Sequence, residues 1–400
     1  MKVLLVCDST YYRYSGGRVV RYINDILKKN NEVEIVVISA ETDDVEWDVF
    51  YKENNVVFIP QRDKKRYTIS NFLFTTKGLD VFKQILYGFT PDIIHFASFD
   101  NSKPSKFIIE AKKCGAKVIL QPWTMDFFCA RNYGYLNDKQ CTLCANGNYF
   151  NALRNSCISY KSIFSLKNRI NLKRASKKAD LFLSSNSDLD SILLKYGVDK
   201  SKIFRFPIPF DYTSIQLSTP INSLITEDYF IFYGLPIACK GLDALYNIFT
   251  NFVSCNLKIY PSTSLELPKK MSNRIEIVNG ISWNNGLKDA IVSSKAVLIP
   301  SLWSTSTEYS LCEALFLKKA VIVFNVGVHK DIFKNRINAM VVEPNDFEFF
   351  AKAVNELEND TELSQTIGEN GYNTLLEINN PERINSLLLR AYNLNKTNSI

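Results

Sequence analysis

Short apolar runs alternate with amphipathic segments along almost the whole chain. Runs at residues 3–7, 33–38, 56–59, 93–96, 117–120 and 181–184 read as strands. A polar loop with Gly16-Gly17 follows the first run and leads into a helix reaching about Lys29. A second helix covers roughly 106–113, and a basic helix precedes the run at 181. Apolar runs divided by helices describe a parallel sheet covered on both faces. From Pro207 to about Glu227 the pattern breaks, and Pro207, Pro209 and Pro220 among polar residues mark a linker. A second series follows, with runs at 229–233, 257–260, 275–278, 296–299, 320–324 and 339–342. Helices are expected at 241–252 and 310–317, and the tail from Phe347 reads as helical. The expected fold class is α/β, with two Rossmann-like domains in series and ligand in the cleft between them. The first domain is placed at 1–210, with a cysteine-containing insertion at about 121–160. The second is placed at 211–376, and a helix within 377–400 is expected to pack back on the first.

Length agrees with this picture, since 400 residues exceed one ordinary core and suit two α/β domains. A hydrophobic fraction of 46% and a charged fraction of 22% are those of a soluble globular protein. The opening apolar run is too short for a signal peptide and stops at Asp8. No run approaches the ~18 residues of a membrane span. The expected location is therefore cytoplasmic, with peripheral contact at the inner membrane face as a variant. The net charge of +7 is mild, and basic residues cluster between Lys161 and Arg205. A solvated helix face explains that cluster most simply. Attraction to an anionic membrane bearing a lipid-linked acceptor is the sharper reading. Nucleic acid is not expected as a partner, because no binding motif is present.

Two segments carry candidate chemistry. Gly234-Leu235-Pro236-Ile237-Ala238-Cys239-Lys240-Gly241-Leu242 follows a strand and opens a helix. A lysine there can meet a phosphate held at a helix N-terminus. The plainer reading is a surface lysine at a helix start. The second segment runs from Pro300-Ser301-Leu302-Trp303 through Thr305, Ser306, Thr307, Glu308, Tyr309 and Ser310 to Glu313-Ala314-Leu315. Strand, Ser/Thr-rich loop, helix and strand is the layout of a phosphate-ligand site at the carboxyl edge of a parallel sheet. Glu313 sits about one turn inside the helix, where its carboxylate can accept bonds from vicinal hydroxyls. Glu308, at the helix start, alternatively just complements the helix dipole.

These segments, in order and at their spacing, resemble glycosyltransferase family 4, the retaining enzymes of GT-B fold. Gly234, Lys240 and Gly241 match the family's Gly-Arg…Lys-Gly element, whose basic residues grip the donor diphosphate. The family's arginine is Leu235 here. The family's two glutamates fall on Thr305 and Glu313. By resemblance Glu313 holds the donor ribose, and Glu308 is the candidate to replace the missing first glutamate. Gly16 and Gly17, whose lack of a side chain permits close backbone approach, join the donor set on the same basis, and Gly280 is counted in that set as well. The stretch Lys173-Arg174-Ala175, Ala179-Asp180 and Tyr196 to Ile203, then Pro209, Phe210 and Asp211, resembles the family's end of the first domain. Many members carry a His-Asp pair where this chain has Trp123-Thr124-Met125-Asp126. Asp126 is thus a candidate to orient an acceptor hydroxyl, or a plain turn cap. The catalytic candidates are Lys240, Glu308 and Asp126.

Cys129, Cys141, Cys144 and Cys157 fall in the polar insertion. Four thiolates are a zinc-preferring set, and a structural zinc, disulfides and free thiols all stay open. The odd total of nine cysteines argues against a disulfide framework. The two histidines are His95, which ends a strand and reads as packed, and His329. The resemblance implies transfer of a sugar from a UDP- or GDP-linked donor to a glycan, lipid-linked or other hydroxyl acceptor, with no catalytic metal. Three alternatives stand beside it: a degraded member that only binds nucleotide or glycan, a GT-B sugar-nucleotide epimerase, and a zinc-stapled interaction module.

Overall fold

In the computed structural model the apolar runs pair as parallel strands. The structure describes residues 1–7, 15–40, 56–59, 76–98, 104–123, 125–131, 133–158, 163–212, 227–266, 273–304, 306 and 308–393. The chain divides into two units. The first comprises Met1–Gly134, Thr142–Asp211 and Asn380–Ile400, and the second Tyr135–Cys141 and Tyr212–Asn379.

The first unit carries β1 (Lys2–Cys7), α1 (Ser15–Lys28), β2 (Glu34–Ala40), β3 (Val56–Ile59), α2 (Thr76–Phe89), β4 (Ile93–Ser98), α3 (Ser105–Lys113) and β5 (Lys117–Leu120). After β5 the insertion contributes the two-stranded β6 (Tyr135–Leu136) and β7 (Lys139–Gln140), then α4 (Phe150–Arg154). α5 (Ile163–Ser176), β8 (Leu181–Ser184), α6 (Ser187–Tyr196) and β9 (Ile203–Arg205) follow. Seven strands pair in the order β3-β2-β1-β4-β5-β8-β9, all parallel. Val3, Leu4, Leu5 and Val6 are fully buried, as a central strand with both faces covered requires.

The second unit carries β10 (Phe230–Gly234), α7 (Leu242–Asn251), β11 (Leu257–Pro261), β12 (Ile275–Ile277), α8 (Leu287–Ser293), β13 (Val297–Ile299) and α9 (Tyr309–Phe316). It continues through β14 (Val321–Phe324), α10 (Val328–Ile332), β15 (Met340–Val342), α11 (Phe347–Asn359) and α12 (Thr361–Ile378). Its parallel sheet has the order β12-β11-β10-β13-β14-β15. Phe230, Phe249, Phe324 and Phe350 anchor the core between sheet and helices. Each such ring contributes roughly 1.5–3 kcal/mol through burial.

The last helix, α13 (Pro381–Asn393), belongs to the first unit. Its Tyr392 hydroxyl donates to Nδ1 of His95 at 3.0 Å, and His95 Nε2 donates to Gln121 Oε1 at 3.1 Å. Both ring nitrogens of this buried histidine are thus used by a neutral imidazole. Burial lowers its pKa to about 3, against the pull of Gln121. The unfolded chain binds a proton near pH 6.5 that the folded one refuses until about 3. Stability should therefore fall steadily as pH drops across that window. Denaturant unfolding at stepped pH checks this, and His95→Gln should flatten the dependence.

The insertion does not stay together. The sequence placed all of it in the first domain, yet Tyr135–Cys141 groups with the second unit. Asn137 and Asp138 have φ of 50° and 57°. Two successive positive φ values make the two-residue turn that matches strand twist in a hairpin. Tyr135 packs against the second unit's core, and the Asp138 carbonyl accepts from Asn345 Nδ2 at 2.9 Å. Gln140 Nε2 donates to Ser304 Oγ.

Candidate functional site

In the second unit a cluster of polar groups lies where two strand-to-helix connections meet. The first leaves β10, turns through a short 3₁₀ segment, Ala238–Lys240, and enters α7 at Gly241. Gly241 has φ 76°, and a β-carbon there would collide with the carbonyl oxygen of Pro300. That proline opens the second connection, between β13 and α9. The Leu302 N–H donates to the Cys239 carbonyl at 2.9 Å, so the two turns are tied by their backbones. Lys240 and the residues before α9 are thereby held side by side.

Lys240 Nζ pairs with Glu308 Oε2, and it also lies 5.5 Å above the Trp303 ring. The Lys240 side chain is 20% exposed and that of Glu308 only 3%. Glu308 is the N-cap of α9, but its side chain makes no cap bond. It turns instead to Lys240. Burial pushes the Glu308 carboxyl up, and the Lys240 ammonium, His329 and the Ser301 hydroxyl together hold it below the ordinary value. Its other oxygen, Oε1, lies 4.0 Å from Nε2 of the fully buried His329. Glu313 is buried inside α9. The Tyr233 hydroxyl at the end of β10 donates to the Ser310 carbonyl at 2.6 Å. Burial, and then the nearby Glu313 carboxylate, raise the pKa of that phenol. Ser306 is also buried.

The connection thus gathers Gly234, Lys240, Ser306, Glu308, Tyr309, Ser310 and Glu313 within one unit. Gly280 lies in the same unit, in the turn after β12, with φ 79°. Thr305 and Thr307 lie outside the described residues. Gly16, Gly17 and Asp126 belong to the first unit. The glycine pair does not form the loop expected of it: both residues sit in the first turn of α1, in helical conformation. Asp126 is in the short turn Met125–Phe127, and its side chain lies outside the described residues.

The structure does not gather Cys129, Cys141, Cys144 and Cys157 into a metal cluster. Among the described residues no three His, Cys, Asp or Glu side chains stand close enough to hold an ion. Cys141 ends the segment in the second unit, whereas the other three stay in the first. All nine cysteines are outside disulfides. No helix of the described residues is long and apolar enough to cross a membrane.

Sequence reasoning missed two participants. His329 gave no signal, being a lone histidine after an apolar strand. Gln140 had one: Asn137-Asp138 between Tyr135-Leu136 and Lys139-Gln140 is a hairpin turn.

Residues 264–374 match the model of the family described as Glycosyl transferases group 1. No curated protein matches in sequence. Among solved structures, HepE of Anabaena in complex with UDP-glucose superposes with TM-score 0.65 at 11% identity, over 98% of each chain. Sucrose-phosphate synthase of Thermosynechococcus elongatus gives TM-score 0.65 at 13% identity, again over 98% of each. The fold is GT-B. The lipopolysaccharide outer core galactosyltransferase WaaB, in its apo form, shares it with TM-score 0.57 at 16% identity, over 98% of this chain and 99% of that one.

Proposed function

We propose that this chain is a glycosyltransferase that moves a sugar from a nucleotide-diphosphate sugar to a hydroxyl acceptor, with retention at the anomeric carbon. The observation that carries the reading is the Lys240–Glu308 couple at the meeting of the two connections, with Glu313 inside the helix that opens there. The match of residues 264–374 to a glycosyltransferase family and the likeness to HepE, solved with UDP-glucose, support it.

The chemistry needs no strong base. As the glycosidic bond breaks, negative charge grows on the leaving diphosphate and an oxocarbenium-like centre forms. The departing phosphate oxygen takes the acceptor's proton on the same face. The protein's task is to stabilise that growing charge. Lys240 and the N-terminus of α9 supply it, and Glu313 holds the ribose.

A thermal-shift panel of UDP-, GDP- and ADP-linked sugars tests the reading. At a hundredfold excess over its dissociation constant a true donor should add about 2.7 kcal/mol of stability. The reading fails if none raises the melting temperature. Glu313→Ala should weaken binding of the responding donor by roughly 1.5–3 kcal/mol, a lost charge-assisted bond. The ligand-free variant should still be folded. Calorimetric titration measures the first and a melt the second; unchanged affinity removes Glu313 from the donor site.

A second reading, binding without transfer, is favoured by Leu235 in the place of the family's arginine and by the engagement of Lys240 with Glu308. A donor that binds yet is neither transferred nor hydrolysed would decide for it.

A further inference from the structure

We infer that His329 is a positioning residue for donor binding: it takes up a proton beside Glu308 when a nucleotide diphosphate draws Lys240 away from that carboxylate. The inference rests on the reading of Lys240 as the cation that meets the diphosphate.

Two buried acceptor atoms face each other here. His329 Nδ1 lies 3.0 Å from the Phe324 carbonyl oxygen. A carbonyl only accepts, so Nδ1 carries the hydrogen. In the neutral ring Nε2 is then a bare acceptor. It lies 4.0 Å from Glu308 Oε1, also an acceptor. Both atoms are buried and neither makes a full hydrogen bond among the described residues, the Ser301 hydroxyl being the nearest polar group that acts on the Glu308 carboxylate. A proton on Nε2 turns this mismatch into an ion pair.

Charge decides when that proton arrives. The groups facing His329 are Glu308 at the start of α9, Lys240 before α7 and the Phe324 carbonyl at the end of β14; the Phe333 ring lies 6.1 Å away. While Lys240 neutralises Glu308, an imidazolium would add an unbalanced buried charge. Burial accordingly holds His329 below its ordinary range, with Lys240 acting in the same direction and Glu308 against it. A bound diphosphate competes for the Lys240 ammonium. A carboxylate with only 3% exposure is then left without its cation, a costly state. A proton from solvent, added to Nε2, restores neutrality and fixes Glu308 by a new charge-assisted contact. No other bond changes.

Calorimetric titration of the whole chain with UDP-glucose, or with GDP-glucose if that is the donor that binds, tests this near neutral pH in buffers of different ionisation enthalpy. The phosphodiester groups of a sugar nucleotide exchange no proton in this range, so any uptake belongs to the protein. Binding enthalpy should vary with buffer, with a slope approaching one proton taken up per ligand. Affinity should rise as pH falls from 8 toward 6.5, by up to about tenfold per unit. His329→Gln offers Glu308 an amide donor that does not titrate. It should keep binding while abolishing the slope and the pH dependence; His329→Asn serves if that variant does not fold. Zero slope in the unmodified chain overturns the inference, as does an unchanged slope in the variant. If no sugar nucleotide binds at all, it is the donor-site reading that falls, and the inference with it.

Discussion

Lys240→Ala should slow sugar transfer by a hundredfold or more, roughly 2.7–4 kcal/mol in the barrier, while weakening donor binding much less. The difference follows from where charge develops. The diphosphate becomes more negative as its bond to the sugar breaks, so a cation beside it matters most in the transition state. Leu235 stands where the resemblance to glycosyltransferase family 4 leads one to expect a second basic residue, and on that reading Lys240 carries a larger share of this work. Single-turnover rates with the identified donor measure the effect without interference from product release. Near-normal turnover with only a raised KM would make Lys240 a ground-state anchor.

The same substitution carries a stability cost. Removing Lys240 strands the Glu308 carboxylate, which is almost fully buried. Breaking a buried pair from one side costs about 3–5 kcal/mol. A slow, poorly folded variant would therefore prove little alone. Lys240→Ala combined with Glu308→Gln removes the stranded charge. The double variant should recover most of the lost stability and none of the lost rate. Recovery of both would assign Lys240 a structural role only.

The fold was legible because its strands are buried on both faces. Val3 to Cys7, Leu181 to Leu183 and Val321 to Phe324 are continuous apolar runs of the kind a parallel strand covered on both faces requires. The site was legible in part. Lys240 and Glu313 stand out because glycines and a Ser/Thr loop announce strand-to-helix connections. Their partners do not, since contact is not written in local pattern. Lys240 and Glu308 are 68 positions apart and meet only because β10 and β13 are neighbours in the sheet. His329 reaches Glu308 by the same sheet order, through the end of β14. The glycine pair at 16–17 differs for another reason: glycine permits a loop without requiring one, and here both residues lie in the first turn of α1. The hairpin at 135–140 is hard to see in the sequence because its strands are too short and polar to show an alternating pattern, although its turn residues are visible.

Gly241→Ala should be among the most damaging single changes in the second unit. Two separate costs add. The backbone at Gly241 is left-handed, with φ 76°, and a side chain there costs about 1–2 kcal/mol. The new methyl group would also run into the Pro300 carbonyl, whose carbon would lie 2.8 Å away. That neighbour is backbone at the end of a buried strand and has no side-chain freedom with which to yield. Overpacking of this kind costs about 1–3 kcal/mol. Gly280→Ala separates the two costs, because Gly280 is also left-handed, with φ 79°, but nothing lies within 4 Å of a β-carbon there. Denaturant unfolding should show Gly241→Ala losing roughly 2–5 kcal/mol and Gly280→Ala no more than about 2. The consequence for the site differs as well. Pushing Pro300 away from Gly241 strains the Leu302–Cys239 backbone bond that sets Lys240 against Glu308. Gly241→Ala should therefore blunt the thermal shift given by the donor even where the protein is still folded. Equal losses in the two variants would show that the close approach of the two connections does not hold the site together.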